Sequence, residues 1–442
     1  MTNTPLVVAT IILIIGIGLE AVGNRDIFSP LKFYYLYILC FFNDVYLNYS
    51  YDYTTFVYWG YLFFCLTGFL MTVYELFITA GIRKKWYIKN SSLAFTLQNH
   101  SRVFLVIWLL SLIPLGLLFH LINSMGGLSN YIAQNRLEFI FNSGISTTII
   151  RFLPALNVVY ALCLLFCRFP HRLFWWGIYF FHLLLTCLVG LSSGGRTRTI
   201  LPIITLMILY HYLIKHLSYK VILLSLLIGI PFLITFGVVR GSMYGGLESL
   251  VDSIKHVSIE DIRDFGVSKG MGSYGTEPLM IISEDHFSDY QYGKTYLSCI
   301  TNFIPRSIWP GKPDSGGVVL TKFYQKETYT GTSHISTGAI VEGILNWGYA
   351  GGVILGGAIF ITIGIATCHF YRSFLQTLSA NSPQPGKIFR YSFFYVAIGP
   401  FWASLTSGEF TTCFFSTVLI PILLFQFTLI FLHPQFRRES EK

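Results

Sequence analysis

The stretch Val221–Val239, VILLSLLIGIPFLITFGVV, runs for nineteen residues without a charged side chain. An α-helix of that length rises about 28 Å, close to the roughly 30 Å of hydrocarbon in a bilayer. The stretch therefore predicts a helix that crosses a membrane. The whole chain has the same character, because 53% of its 442 residues are hydrophobic, only 12% are charged, and the mean hydropathy is +0.60. A soluble protein of this length is less apolar and carries more charge.

Similar apolar runs recur along the chain and predict an all-α polytopic membrane protein. We predict about eleven transmembrane helices, at 5–22, 33–45, 56–79, 103–123, 147–167, 173–191, 200–214, 221–239, 350–369, 392–408 and 413–432. The run at 33–45 is short, so ten or twelve spans also fit the pattern.

The predicted spans divide the chain into three parts. Residues 1–239 form an N-terminal bundle of about eight spans, residues 240–349 form one large polar loop, and residues 350–442 carry the last spans and a tail. In the loop, apolar spacing predicts an amphipathic helix at 247–264 and a short helix at Tyr296–Phe303. A glycine-rich turn is expected at Gly266–Gly275.

The distribution of basic residues predicts which side of the membrane the loop occupies. Alternate short loops and the C-terminal tail carry seventeen Lys and Arg residues, against three in the short loops on the other side. Basic residues are retained in the cytoplasm, so the large loop is expected to face outward. The net charge of +9 then reflects orientation and contact with anionic lipid, which is no argument for nucleic acid.

Two short segments place basic side chains in an arrangement suited to anions. In Ser192–Thr199, SSGGRTRT, a glycine turn leads into a helix N-terminus that Thr199 can cap. Arg196 and Arg198 share a face there only if the segment is extended, because on a helix they lie about 200° apart. In Ile304–Pro313, IPRSIWPGKP, three prolines restrict the backbone around two further cations.

Other basic residues near the outer face have an ordinary interpretation beside the functional one. Arg240 ends the eighth span and also fits a headgroup anchor. Arg151 lies just inside the fifth span, where it marks a functional cavity or neutralises an acidic neighbour. Lys294 fits a solvated loop charge.

The eight cysteines show no CxxC or Cys/His spacing, so no metal or other cofactor is expected.

Four segments together resemble a known family. They are the Ser-Gly-Gly-Arg turn, YGKTYL at Tyr292–Leu297, IPRSIWPGKP at Ile304–Pro313 and EGILNWG at Glu342–Gly348. Their order and spacing resemble the oligosaccharide repeat-unit polymerases, the Wzy-type O-antigen polymerases of bacteria. The specific residues lie between about 190 and 352, and the first 190 residues match mainly in hydropathy.

The resemblance implies a fold, a reaction and a location. It implies a glycosyltransferase-C-like helical enzyme in the bacterial cytoplasmic (inner) membrane, with the large loop in the periplasm. Such enzymes transfer a glycan from polyprenyl (undecaprenyl) diphosphate to an incoming lipid-linked repeat unit and release the polyprenyl diphosphate. The family usually works with a chain-length-regulating co-polymerase.

Site residues follow from the chemistry of that reaction. We expect the leaving diphosphate to be bound without a metal by cations that converge at the outer leaflet, namely Arg151, Arg196, Arg198, Arg240, Lys294, Arg306 and Lys312. Glu342 is the first candidate for the base, and its alternative is a carboxylate stabilised by a helix dipole. His334 and Glu277 are the next candidates, and Glu409 fits a partner for an arginine. Tyr292, Tyr296 and Trp309 fit either a platform for sugar rings or packing within the loop.

Two other functions share these features. An O-antigen ligase runs the same transfer onto lipid A core and differs only in the acceptor. A repeat-unit flippase or carrier is the third alternative, although a carrier typically shows paired repeats and ionisable groups near the bilayer midplane. The two halves of this chain do not match, which favours an enzyme.

Overall fold

The computed structural model describes residues 4–47, 53–88, 95–96, 100–134, 149–150, 152–168, 170–192, 196–239, 242, 245–264, 274–285, 287–301, 304, 306, 308–329, 331, 335–380, 385–419, 421–423 and 425–426. These residues are almost entirely helical. A parallel pairing of Phe95–Thr96 with Cys167–Arg168 is the one sheet among them.

The helices of the membrane part, in chain order, are α1 (Thr4–Gly23), α2 (Pro30–Phe41), α3 (Asp44–Leu47), α4 (Thr55–Ile88), α5 (His100–Ser124), α6 (Leu128–Gln134), α7 (Phe152–Phe166), α8 (Arg172–Ser192), α9 (Arg196–Leu213) and α10 (Tyr219–Val239). The later helices are α11 (Gly246–His256), α12 (Ile259–Asp264), α13 (Glu277–Glu284), α14 (Lys294–Thr301), α15 (Gly316–Gln325), α16 (Gly338–Ser379), α17 (Pro385–Ser404) and α18 (Phe410–Phe414). A short 3-10 helix, Lys326–Thr328, follows α15, and a π-helical turn, Phe415–Leu419, follows α18.

Six helices in the described residues are long and apolar enough to cross a membrane. They are Thr4–Gly23, Thr55–Ile82, His100–Ser124, Arg172–Ser192, Tyr219–Val239 and Gly338–Ser379. Each contains or overlaps a predicted span. Three shorter apolar helices, Pro30–Phe41, Phe152–Leu165 and Thr199–Leu213, lie where three further spans were predicted.

The chain folds into two compact units, each built from separate stretches of sequence. Unit 1 contains Met1–Trp86, Ile259–Gln376 and Ile398–Thr417, and unit 2 contains Tyr87–Ser258, Thr377–Ala397 and Val418–Lys442. In unit 1 an aromatic core forms around Tyr34, whose ring stacks on Trp402 at 4.2 Å between centroids. The hydroxyl of Tyr34 donates to the carbonyl oxygen of Phe64, and the indole N–H of Trp402 donates to that of Phe360. These hydrogen bonds satisfy the polar ends of buried aromatic side chains.

In unit 2, His182 is a hydrogen-bonded residue of the helix bundle. Its imidazole nitrogens lie 2.9 Å from the hydroxyl of Ser111 and 3.0 Å from the amide of Asn157. Helix α11 packs Leu250 into the same unit, against a cluster that includes Leu118 and Phe236. The single helix predicted at 247–264 is divided in the structure into two helices, α11 and α12. Val257 and Ser258 separate them.

The longest helix, α16, is a hairpin. Gly348 has φ 73° and ψ 179°, which interrupts the helical backbone. A Cβ atom on Gly343 would lie 2.3 Å from the carbonyl oxygen of Gly352, and one on Gly356 would lie 3.0 Å from the Cα atom of Gly343. In a straight helix residues nine apart are separated by about 13 Å. The arm before Gly348 therefore folds back along the part that follows.

The hairpin begins twelve residues before the predicted ninth span at 350–369. The prediction missed the arm because its polar residues, Glu342 and Asn346, resemble loop sequence. The short helix predicted at Tyr296–Phe303 is present as α14, which begins two residues earlier. Most of the predicted turn at Gly266–Gly275 lies outside the described residues.

Unit 1 also buries three carboxyl groups near the end of α1, which we name the acidic cluster: Glu20, Asp26 and Glu75. The ammonium group of Lys32 donates to the carbonyl oxygens of Asn24 and Asp26 and lies 3.5 Å from the Glu20 carboxylate. The hydroxyl of Tyr371 donates to Asp26, and the amide of Asn24 donates to Glu75. The cluster thus links α1, α4 and α16 through polar contacts inside an apolar unit.

Candidate functional site

The YGKTYL stretch docks on the arm of the α16 hairpin. The backbone N–H groups of Gln291 and Tyr292 donate to the carbonyl oxygens of Leu345 and Asn346, both at 2.9 Å. Those carbonyls lie within one turn of the interruption of α16 at Gly348. Tyr292 and Gly293 adopt φ 47° and φ 86°, a left-handed turn that directs the chain into α14. Two stretches that support the resemblance therefore form one local structure.

Glu342 is fully buried at the centre of this structure. Its Oε1 accepts a hydrogen bond from the hydroxyl of Thr295 at 3.0 Å. Its Oε2 accepts from the backbone N–H of Phe410 at 2.6 Å and from the hydroxyl of Thr337 at 3.3 Å. The three contacts come from three separate segments and fix the orientation of the Glu342 carboxyl group.

Asn346 completes the link between the arm and α14. Its amide nitrogen donates to the hydroxyl of Thr295 and to the carbonyl oxygen of Glu342, both at 2.7 Å. Its amide oxygen accepts from the backbone N–H of Gly293 at 2.8 Å. Thr295 is therefore a donor to Glu342 and an acceptor from Asn346, so its hydroxyl hydrogen has a defined direction.

A second buried carboxyl group, Glu409, immediately precedes Phe410, whose backbone N–H donates to Glu342. The Oε2 atom of Glu409 accepts from the backbone N–H of Gly317 at 2.5 Å, and its Oε1 accepts from the hydroxyl of Thr412. Gly316 packs against Glu342, since a Cβ there would lie 3.0 Å from its carboxyl carbon. Both carboxyl groups thus accept a hydrogen bond from a backbone N–H at the start of a helix, where such groups lack partners within the helix.

Hydroxyl groups on the buried face of α14 extend this network. The hydroxyls of Ser298 and Thr411 lie 2.6 Å apart, and Thr411 donates to the carbonyl oxygen of Thr295 at 2.9 Å. The contacts fix α18 against α14. Sequence reasoning missed Thr295, Ser298 and Thr411, because hydroxyl residues on a short helix give no distinctive pattern.

The three predicted platform residues have different environments. Tyr296 is half-buried and stacks on Trp347 with centroids 5.5 Å apart, while Phe410 contacts it edge-on at 5.3 Å. Burial raises the pKa of its phenol well above the usual value. Tyr292 and Trp309 expose their rings. Of the three, Tyr296 packs within the candidate site.

Arg306 and Lys312 lie together in the proline-restricted loop, as the sequence predicts. The Arg306 guanidinium donates to the carbonyl oxygens of Pro310 and Lys312 at 3.2 and 3.4 Å and forms an ion pair with Asp314. The Lys312 ammonium donates to the carbonyl oxygen of Ile304 at 2.8 Å. Partial burial, together with Arg306, lowers the pKa of Lys312. Lys294 is exposed at the start of α14.

Asp314 is a partner that the sequence did not reveal. Its second carboxylate oxygen forms an ion pair with Lys322 at 2.6 Å. The charge of Arg306 is thus balanced by an acid eight residues along the chain. A phosphate ligand of Arg306 would compete with Asp314 for the guanidinium.

The predicted arginine turn has a helical backbone. Helix α9 begins at Arg196, so Thr199 lies inside the helix and the expectation that it caps the N-terminus is wrong. Arg196 and Arg198 occupy positions about 200° apart on that helix, so the extended arrangement that would put them on one face is absent. Arg151, Arg240 and His334 lie outside the described residues. Their roles, like those of Arg196 and Arg198, stay predictions.

The remaining predicted base, Glu277, begins α13 with an exposed side chain. Desolvation by the surrounding chain raises the pKa of its carboxyl group.

A buried carboxyl group lies close to the start of α13. Thr276, the residue before Glu277, donates to Asp44, which also accepts from the hydroxyl of Tyr53 at 2.8 Å. Burial raises the pKa of Asp44, which lies beyond the end of α2, to about 6. The sequence did not identify Asp44, because its burial depends on a contact with Thr276, which lies 232 residues further along the chain.

Comparison with known proteins found no matching family model, no matching curated protein and no matching solved structure. The contacts themselves are therefore the basis for assigning a function. In the residues that the structure describes, no group of three or more His, Cys, Asp or Glu side chains is arranged to hold a metal ion. The candidate site consists of two buried carboxyl groups, their hydroxyl and N–H donors, and a nearby aromatic pair.

Proposed function

We propose that this chain polymerises oligosaccharide repeat units carried on polyprenyl diphosphate, at the periplasmic face of the bacterial cytoplasmic membrane. The observation that carries the proposal is the docking of YGKTYL on EGILNWG around Glu342. The proposal includes a glycosyltransferase-C-like fold with about eleven spans. It also includes a periplasmic location for the large loop.

In the proposed reaction, Glu342 accepts the proton of the attacking hydroxyl. The oxygen of that hydroxyl forms a bond to the anomeric carbon of the donor glycan, and the bond from that carbon to the diphosphate oxygen breaks. The electron pair of the broken bond leaves with the polyprenyl diphosphate. A general base of this kind contributes on the order of 10² to 10⁴ in rate.

The geometry suggests how a substrate hydroxyl reaches a buried carboxylate. The hydrogen bond from Thr337 is the longest of the three to Glu342, at 3.3 Å. A substrate hydroxyl that replaces it exchanges one O–H donor for another, so the carboxylate keeps its partners. Thr295 and Phe410 would hold the carboxylate in place during the exchange.

Arg306 and Lys312 supply positive charge for the leaving diphosphate in this proposal. Guanidinium groups bind phosphate oxygens in pairs, and a cation fixed by its own loop loses little entropy on binding. Arg306 already has its orientation set by two carbonyl oxygens. The diphosphate would replace Asp314 as the counter-ion.

A carrier is the second candidate, and the acidic cluster is the observation that favours it. Ionisable groups buried in a membrane protein are costly and often mark the path of an ion or a proton. Glu20 lies 3.5 Å from Lys32, while the carboxyl groups of Asp26 and Glu75 accept hydrogen bonds from Tyr371 and Asn24. A carrier of lipid-linked units would need this cluster, whereas a polymerase needs Glu342.

Deletion of the gene, followed by gel analysis of the surface polysaccharide, tests the proposal. A polymerase predicts that the ladder of long chains collapses to core plus one repeat unit. Loss of every repeat unit would instead favour ligation or flipping. Restoration of the ladder by the intact gene controls for effects on neighbouring genes.

A further inference from the structure

We infer that α11 is an interfacial helix that lies at the edge of the hydrocarbon layer, where its exposed aliphatic side chains contact the acyl chains of one leaflet. The inference does not depend on the proposed reaction. It rests on the depth at which α11 is held, on the arrangement of side chains around its axis, and on the exposed surface of the span before it.

The ends of two candidate spans, α5 and α10, hold α11. Leu250 of α11 is buried in one cluster with residues from the last two turns of both spans, namely Leu118, Leu121, Phe236 and Val239. The C-terminal ends of α5 and α10 therefore lie on the same side of the membrane, and α11 packs against both.

The length of α10 gives the depth of this cluster. The nineteen uncharged residues Val221–Val239 rise about 28 Å, barely the thickness of the hydrocarbon, and Lys220 and Arg240 flank them in the sequence. Phe236 and Val239 therefore lie within about 5 Å of the hydrocarbon edge. A side chain that packs against them lies at the same level, so Leu250 is at the boundary between acyl chains and headgroups.

Helix α6 fixes the start of α11 at the same level. Three residues separate α6 from the end of α5, and Tyr131 and Ile132 of α6 belong to the same buried cluster. The hydroxyl of Ser129 accepts from the backbone N–H of Leu247 at 3.0 Å. A Cβ atom on Gly246, which has φ 80°, would lie 2.3 Å from that hydroxyl oxygen. Both the start and the middle of α11 are thus held at the ends of the spans.

The side chains of α11 form three sectors around its axis, and Leu250 marks the sector that packs on the spans. Leu247, Val251 and Ile254 lie about 40 to 100° from Leu250 and are 39%, 45% and 54% exposed. The charged residues lie about 140 to 160° from Leu250 and are all exposed, namely Glu248, Asp252 and Lys255. The aliphatic sector therefore lies between the spans and the charged sector, as in a helix that lies flat in the interface.

The span before α11 indicates what covers an apolar surface in this part of the molecule. Leu224, Leu227 and Ile228 of α10 are 58 to 66% exposed, and acyl chains cover such a surface on a membrane span. Six residues later the chain begins α11 at the edge of the same hydrocarbon layer. The charged sector has two acids and one lysine, so headgroup charge gives no attraction. We therefore assign acyl chains, rather than charged headgroups or a soluble protein, as the partner of the aliphatic sector.

Collision accessibility of a nitroxide label tests the inference on the full-length protein in phosphatidylcholine nanodiscs. Ile254→Cys carries the label in the aliphatic sector, and Val251→Cys gives a second reading there. Asp252→Cys is the matched control, since Asp252 is exposed on the same helix and points about 160° away from Ile254. Oxygen, which concentrates among acyl chains, and a water-soluble nickel chelate are the two relaxing reagents. Protein with its natural cysteines, treated in the same way, gives the background.

We expect the ratio of oxygen accessibility to nickel accessibility to be several-fold higher at positions 254 and 251 than at position 252. High nickel accessibility at all three positions would place the helix in water and would overturn the inference. Low accessibility to both reagents at positions 254 and 251 would place protein, such as a second copy of this chain, over the aliphatic sector and would also overturn it.

Discussion

The hydroxyl oxygen of Thr295 lies 3.0 Å from carboxylate oxygen Oε1 of Glu342, across 47 residues of sequence. This hydrogen bond joins the outer loop to the α16 hairpin at the residue that we assign as the base. The same hydroxyl accepts a hydrogen bond from Asn346. One threonine therefore connects the two stretches on which the proposed function depends.

Glu342→Gln should abolish polymer and leave single repeat units on the lipid carrier, because an amide cannot accept the proton. Glu75→Gln is the matched control, since Glu75 is equally buried, accepts a hydrogen bond from Asn24 and lies outside the candidate site. We expect Glu75→Gln to keep a ladder on gels of surface polysaccharide. Equal loss in both variants, at equal protein levels, would leave Glu342 with a structural role only.

Thr295→Val should destabilise the protein, because it leaves the Asn346 amide and one oxygen of Glu342 without their shared partner. Loss of a buried partner costs about 1 to 3 kcal/mol. Thr295→Ser keeps the hydroxyl and should unfold close to the unmodified protein. Thermal unfolding in detergent measures both, and a valine variant as stable as the serine variant would argue against the network.

Gly352→Ala should destabilise the hairpin, because its Cβ would lie 2.4 Å from the backbone N and Cα of Ile344. Overpacking of this kind costs roughly 1 to 3 kcal/mol. Gly351→Ala places its Cβ 3.4 Å from the Cβ of Trp347, an ordinary contact, and should be neutral or slightly stabilising. If both alanine variants unfolded at the same temperature, the folded-back arm would be in doubt.

Asp44 predicts a dependence of stability on pH. Its pKa is raised by burial from 3.8 to about 6 in the folded chain, so the folded state keeps this proton at pH values where the unfolded state has lost it. Stability from this group therefore falls as pH rises from about 4 to about 6, by about 3 kcal/mol at most. Above that range the loss is complete.

Asp44→Asn should remove this loss, because the amide stays neutral and its oxygen still accepts from Tyr53 and Thr276. The variant should gain stability over the unmodified protein at pH 7.5 and show a smaller gain, or none, near pH 4. Unfolding temperatures at both pH values give the comparison. A difference between the two proteins that does not change with pH would show that Asp44 titrates normally.

The sequence predicts the helices well where apolar runs are long, because hydrocarbon thickness fixes their length. Thr4–Gly23 and Tyr219–Val239 follow their predicted spans within two residues. The hairpin could not be predicted in this way. A glycine in an apolar run is compatible with a straight helix, and the φ of Gly348 depends on the packing of Gly343 against Gly352.

The candidate site shows the same division. Glu342 and Tyr296 stood out because their stretches carry the resemblance. Their partner Thr295 lies in α14, whereas Glu409 and Thr411 lie at the start of α18, and only the folded chain brings these two segments together. Local pattern gives the type of each element, whereas contacts across 47 or more residues need the tertiary structure.

The central claim is tested most directly by purified protein in nanodiscs supplied with one radiolabelled, polyprenyl-diphosphate-linked repeat unit. Separation of the lipid-linked products measures chain length, and release of polyprenyl diphosphate measures turnover. The account predicts longer lipid-linked glycans together with free polyprenyl diphosphate, and neither product from Glu342→Gln. Label that stays in single repeat units with the intact protein would contradict it.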